Sequence, residues 1–179
     1  MGVASEVGDL LEYYAGRGVF SSFSRNSERA GGARFLLRWH RDQVFQWDWN
    51  ASKQTLRIDC VLPAVPAKSS MYRSLKSWLR ARQDDDLPAH RRSDKNKVAV
   101  KTYNRGGNVS LTLHVLDGDV DYAVKKLVNL VNEIYLDFLS DGRYFDWVVD
   151  TFELDPDRPY RDGSRPGCAA EEPNPPIAQ

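Results

Sequence analysis

The 179-residue sequence contains no apolar run that approaches the ~20 residues needed to cross a lipid bilayer. Its N-terminal stretch carries Glu6, Asp9 and Glu12, and it lacks the apolar segment of a signal peptide. These two absences predict a cytoplasmic protein with no membrane partner.

Cysteines and catalytic motifs are also scarce. Only Cys60 and Cys168 are present, too few for a framework of several disulfides and too far apart for a closely spaced metal-binding pair. The sequence has no Gly-x-Ser-x-Gly elbow, no phosphate-binding loop and no His-Glu-x-x-His motif. We therefore predict no catalytic residue, no metal site and no cofactor. An enzyme whose site is assembled from distant residues stays open as an alternative.

The segment Asp117-Gly118-Asp119 is the one stretch that looks like part of a calcium loop. A calcium loop needs further oxygen ligands, a differently placed glycine and a distal glutamate, and these are absent here. We interpret the segment as a turn followed by the N-cap of a helix.

The net charge is zero, because 25 basic residues balance 25 acidic ones, but the two signs are separated along the chain. Residues 67–105 hold eleven Lys or Arg against four Asp, a balance of +7. Residues 117–157 hold eleven acids against three bases, a balance of −8. This separation predicts either a dipolar surface or charge matching between neighbouring elements of the fold.

Hydrophobic periodicity predicts one α+β domain over residues 1–154, with an antiparallel sheet of about five strands in the order α-βββ-α-ββ-α. A helix over 5–15 precedes a polar, glycine-rich loop at 21–32. Three alternating segments, a helix capped by Ser69 or Ser70, a hairpin and a long helix follow. We also predict a short helix within residues 144–152. The tail at 155–179 holds six of the nine prolines, so we predict that it is disordered.

Phe45, Trp47 and Trp49 share one face of a predicted strand. Such a stripe can stack nucleic-acid bases, or it can form the core face of the sheet. Because polar side chains fill the opposite face of the same strand, we interpret the aromatic face as core.

A basic stripe lies on the predicted helix that follows the third strand. Arg73, Lys76 and Arg80 are spaced i, i+3, i+7, opposite the apolar face. They could contact phosphates together with the bases that follow, which are Arg91, Arg92, Lys95, Lys97 and Lys101. The candidate nucleic-acid-binding residues are Arg73, Lys76, Arg80, Arg91, Arg92 and Lys97. The competing interpretation is a solvated surface partly matched by the acidic last helix, and the zero net charge favours it.

The predicted order of elements resembles that of the type III secretion chaperone-like fold, which includes the bacterial secretion chaperones and the YbjN-type proteins. The resemblance covers residues 7–139. It implies a non-enzymatic protein that binds a protein partner, often as a homodimer, through apolar patches on the sheet and helices. By that implication the candidate partner-binding residues are Leu36, Val44 and Val61 on the otherwise polar sheet face, and Met71, Leu75 and Trp78 on the following helix.

Three hypotheses about function result. The leading one is a protein-binding module, similar to a secretion chaperone. The alternatives are a nucleic-acid-binding domain that uses the basic segment, and an enzyme with a dispersed site.

Overall fold

The computed structural model describes residues 2–29 and 31–140. Six antiparallel strands form one sheet in the order β1-β2-β3-β4-β6-β5, which confirms the α+β class. The predicted helix at 144–152 and the predicted disordered tail at 155–179 lie outside the described residues. The elements are α1 (Val3–Gly16), β1 (Ser22–Arg29), β2 (Gly32–Trp39), β3 (Gln43–Asn50), β4 (Thr55–Leu62), α2 (Ser70–Ala81), β5 (Val98–Arg105), β6 (Asn108–Val115), α3 (Val120–Glu133) and a π-helical turn (Ile134–Phe138).

Strand β1 corrects the predicted loop at 21–32, so the element order is α-ββββ-α-ββ-α. The strand escapes prediction from periodicity because its only apolar residue is Phe23, which pairs with Leu37 of β2. A bulge after Arg25 interrupts the alternation further. Edge strands tolerate such polar sequences, because only one of their sides needs a partner.

The core lies on one face of the sheet. Phe35, Trp47 and Ile58 form a row across β2, β3 and β4, and all three are fully buried. Helix α1 contacts β1 and β2, while α3 contacts β4 and β6. The whole aromatic stripe of β3 is buried, so its interpretation as the core face is confirmed.

The opposite face of β2, β3 and β4 carries a polar network. Arg34 donates a hydrogen bond to Asp48 at 2.7 Å, and Arg57 donates one to Asp59 at 2.8 Å. Gln46 joins the two pairs, because its side-chain nitrogen lies 2.8 Å from Asp48 Oδ2 and 2.9 Å from Asp59 Oδ2. These side chains satisfy one another across strands, as expected for a solvated sheet face.

The two later helices begin at the predicted caps. Ser69 Oγ accepts a hydrogen bond from the Tyr72 N–H at the start of α2. Asp119 Oδ1 accepts one from the Tyr122 N–H at the start of α3, at 3.0 Å. The segment before α3 is therefore a turn and an N-cap, as predicted, and the Asp119 carboxylate also pairs with Lys97 at 2.6 Å.

Candidate binding surfaces

The basic and acidic segments meet inside the fold, at the ends of α2 and α3. The Arg82 side chain, only 9% exposed, lies 3.0 Å from Glu133 and 3.3 Å from Asp137. Its guanidinium carbon is 3.9 Å from the centre of the Trp78 ring. The contact with Asp137 has hydrogen-bond geometry, whereas the Arg82–Glu133 contact is an ion pair without an aligned hydrogen bond. We name Arg82, Arg91, Glu133 and Asp137 the interhelix ion cluster.

Carboxylates of the same chain pair with three of the predicted phosphate-binding residues. Arg91 donates to Asp137, Arg92 donates to Asp85 at 3.0 Å, and Lys97 donates to Asp119. The carboxylates beside Lys97, with Asp119 as the main contributor, raise its pKa above the usual value. Because each of these cations already faces a carboxylate, phosphate binding at Arg91, Arg92 and Lys97 is disfavoured.

Lys126 shows how tightly this end of the molecule is packed. Its ammonium group is buried and donates to the Arg91 carbonyl oxygen at 3.0 Å. Burial lowers the pKa of Lys126, an effect that Glu133 opposes and Arg82 reinforces. The sequence marks Lys126 only as one base within an acidic helix, so its buried position is a property of the tertiary packing.

Three of the predicted partner-binding residues belong to the core instead. Val61, Met71 and Leu75 are 0%, 3% and 1% exposed, so none can touch a partner in this conformation. Val61 lies in the irregular part of β4, and its carbonyl oxygen accepts a hydrogen bond from Tyr135. Met71 and Leu75 are on the apolar face of α2, and that face packs on the rest of the core.

The other three predicted partner-binding residues are half-buried, and Trp78 lies on a different element from the neighbouring pair Leu36 and Val44. Leu36 and Val44 are on the polar face of β2 and β3, among the charged pairs described above. Trp78 is on α2, where it packs between Arg82 and the ring of Phe138, whose centre is 5.6 Å away. The structure therefore does not join these residues into one apolar patch.

A groove of about 290 Å³ lies between α2 and the edge strand β5. It brings Lys76 and Arg80, two predicted phosphate-binding residues, next to Lys101 of β5. We name it the α2–β5 groove. Its lining residues are Lys76, Leu79, Arg80, Gln83, Val100, Lys101, Thr102 and Tyr103.

Arg73, the third basic residue of the stripe, points elsewhere. It donates to the Lys68 carbonyl oxygen and does not line the groove. Tyr103 is absent from the sequence-based candidates, and Lys101 is among them only as a further phosphate contact, because no local signal shows that β5 is an edge strand. The one hint is the start of that strand, where Val98 and Val100 alternate with Lys97, Ala99 and Lys101.

His40 occupies a separate aromatic pocket at the end of β2. Its ring lies between Trp39 and Tyr135, with ring centres 4.2 and 4.5 Å away. Burial lowers the pKa of His40 to about 4, and the nearby Arg41 adds to this effect. Nε2 is buried and has no hydrogen-bond partner among the described residues. The neutral imidazole is therefore the form that this pocket accommodates.

Acidification is expected to destabilise the protein through His40. The folded-state pKa of about 4 lies below the ordinary 6.5, so the stabilising contribution is complete above pH 6.5 and is lost as the pH falls towards 4. With ~1.4 kcal/mol per pKa unit, the loss is at most about 3 kcal/mol for this half-buried ring.

Urea unfolding at several pH values from neutral to 4.5 measures this loss. His40→Phe is the matched control, because phenylalanine can stack on Trp39 and Tyr135 but cannot be protonated. The unfolding free energy of the wild type should fall more steeply with acid than that of His40→Phe. Parallel pH profiles for the two proteins would contradict the assignment.

In the part of the chain that the structure describes, no three His, Cys, Asp or Glu residues are grouped so that they could hold a metal ion. No helix among those residues is both long and apolar enough to span a membrane. Comparison of the chain with protein-family models, with curated proteins and with solved structures finds no match in any of the three.

Proposed function

We propose that this protein is a non-enzymatic protein-binding module, as the resemblance to the secretion chaperones implies. The observation that carries this proposal is the edge of the sheet at β5. In the described part of the chain, β5 pairs only with β6, so its other side presents unpaired backbone groups. Tyr103, a large apolar side chain that is 50% exposed, stands on the same strand. Exposed strand edges with adjacent side-chain contacts are a recurrent way of binding other proteins.

The charge distribution supports protein binding over nucleic-acid binding. Among the described residues, four of the eleven bases of the basic segment face carboxylates of their own chain, namely Arg82, Arg91, Arg92 and Lys97. The net charge is zero, whereas nucleic-acid binding draws mainly on an excess of cations that neutralise phosphates. Three of the bases without such a contact, Lys76, Arg80 and Lys101, line the α2–β5 groove, where a protein partner can use them.

An affinity pull-down of the tagged full-length protein from its own cells tests this function. The eluate is divided between mass spectrometry and the 260/280 nm absorbance ratio, with and without nuclease treatment. We expect a nuclease-resistant protein partner at a constant ratio to the bait. A high absorbance ratio and loss of the bound material with nuclease would favour the nucleic-acid alternative, and a bait that retains no protein would overturn the proposal.

Two matched baits locate the contact. Tyr103→Ser removes the exposed apolar side chain at the sheet edge and should reduce capture of the partner. Leu136→Ser removes a similar side chain, 64% exposed, from the π-helical turn and should leave capture unchanged. Equal capture by both variants would place the contact away from β5.

A further inference from the structure

The α2–β5 groove follows the edge of the strand rather than one face of the sheet. Val100 and Thr102 pair with Leu113 and Leu111, on the core face. Lys101 and Tyr103 alternate with them and therefore lie on the opposite face. All four consecutive residues line the groove, which is possible only where the groove runs past the strand's outer side.

That outer side offers hydrogen-bonding groups in a regular array. In an antiparallel ladder, alternate residues direct both N–H and C=O away from the paired strand. The β5–β6 hairpin is closed by Gly106 and Gly107, whose φ angles of 59° and 88° fit the tight turn that holds the two strands in register. Every second residue of β5 is therefore available to an added strand, except Val98, whose N–H already donates to the Asp94 carbonyl oxygen at 3.0 Å.

The charge of the groove indicates the charge of its partner. Lys76, Arg80 and Lys101 line it, and no carboxylate does so among the described residues. The Lys76 ammonium lies over the Tyr72 ring, 4.8 Å from its centre, which is a contact with an aromatic face and not with an anion. Arg91 and Lys97 have carboxylate partners, whereas no ion pair among the described residues involves the three groove cations, which could therefore pair with carboxylates of a partner.

We propose that the α2–β5 groove binds an extended acidic segment of a partner protein, which adds to the sheet as a further strand beside β5. The inference rests on the proposed protein-binding function and specifies its site and partner chemistry. Because side chains alternate along a strand, carboxylates at every second position can face Lys76 and Arg80 of α2, which lies on the core-face side of β5. The intervening side chains then lie on the face of Lys101 and Tyr103.

The same features disfavour two other occupants. A second copy of this chain, paired edge to edge through β5, would bring the Lys76, Arg80 and Lys101 cations of both copies together, and like charges at an interface repel. A single-stranded nucleic acid would gain phosphate contacts. Among the residues that the structure describes, however, the groove offers only the exposed ring of Tyr103 for stacking, and the strand amides would stay unused.

Fluorescence polarisation with a defined probe tests the inference. The probe is a short labelled peptide in which Glu alternates with Val, and the comparison probes are the same peptide with Lys in place of Glu and a single-stranded oligonucleotide. We expect the wild-type protein to bind the Glu peptide more tightly than either comparison probe. Variant Lys76→Glu/Arg80→Glu/Lys101→Glu should bind the Glu peptide at least about tenfold more weakly.

The matched control is Lys53→Glu/Lys95→Glu/Lys125→Glu, which makes the same change in net charge at exposed lysines outside the groove. It should retain most of the affinity, and circular dichroism melting confirms that both variants fold. Amide hydrogen exchange of residues 98–105 then reports strand addition, because alternate β5 amides should exchange more slowly with the Glu peptide bound.

Several outcomes would overturn the inference. These are no binding of the Glu peptide, equal weakening by the two triple variants, tighter binding of the oligonucleotide, or unchanged exchange of the β5 amides. A concentration-dependent dimer that the Glu peptide does not dissociate would instead assign the edge to a second copy. If the groove variant captures the cellular partner as well as the wild type does, only this binding site is refuted and the proposed protein-binding function stands. If the wild-type protein captures no partner, the proposed function itself is refuted.

Discussion

Replacing Trp47 by alanine is expected to lower the free energy of unfolding by about 4 kcal/mol. The side chain is 0% exposed and lies between Phe35 and Ile58 in the central row of the sheet. Removing the indole leaves a cavity that strands on both sides cannot close without breaking their own pairing. Domains have only ~5–15 kcal/mol of stability in total, so this variant should be close to unfolding at moderate temperature.

Urea denaturation, followed by far-UV circular dichroism so that the readout does not depend on the lost tryptophan, measures the effect. The control is Trp47→Phe, which keeps an aromatic ring in the same row. Trp47 Nε1 has no hydrogen-bond partner among residues 2–29 and 31–140, so the phenylalanine variant gives up no hydrogen bond described there and should lose much less stability. A loss below ~1 kcal/mol for Trp47→Ala would show that β3 presents this face to solvent.

Replacing Arg82 by alanine is expected to cost about 3 kcal/mol of unfolding free energy, because it breaks a buried ion pair from one side. Arg82 contacts Glu133, Asp137 and the Trp78 ring, and it joins the end of α2 to the end of α3. Without it, the Glu133 carboxylate, whose side chain is only 20% exposed, has Arg91 at 3.9 Å as its nearest remaining cation. The interhelix ion cluster would then hold more negative than positive charge.

The matched surface control is Arg57→Ala. Arg57 makes a comparably short contact with Asp59, but both side chains are nearly half exposed, so its removal should cost less than ~1 kcal/mol. A double variant, Arg82→Met with Glu133→Leu, removes both charges and should be more stable than Arg82→Ala alone. Thermal unfolding compares the four proteins, and equal losses for Arg82→Ala and Arg57→Ala would contradict the view that the Arg82–Glu133 pair is buried.

Local chemistry is sufficient to predict much of the fold. The alternation of Phe45, Trp47 and Trp49 with polar residues predicts both a strand and its core face. Ser69 and Asp119 stand at the starts of α2 and α3, where their oxygens accept backbone hydrogen bonds. These features depend on residues close together in sequence, and the period of a strand or a helix is visible within one element.

Other features escape prediction because they depend on which elements meet. Strand β1 has almost no apolar residues, and its conformation is secured by pairing with β2 and by Arg25, which reaches Asp9 and Glu12 of α1. Met71 is a second example. It is predicted to bind a partner, but it is part of the core because the apolar face of α2 packs against the rest of the protein.

The candidate site also combines a feature that local sequence predicts with features that depend on tertiary packing. The sequence predicts Lys76 and Arg80 together, because residues four apart share one face of a helix. It does not predict their meeting with Lys101, because that requires β6 to insert between β4 and β5 and so leave β5 at the edge. By itself the sequence determined the periodicity, the caps, the aromatic core face and the opposite charge of two segments. Only the tertiary structure decided strand order, the pairing of Arg82 with Glu133 and the position of the groove, since these follow from the packing of residues far apart in the chain.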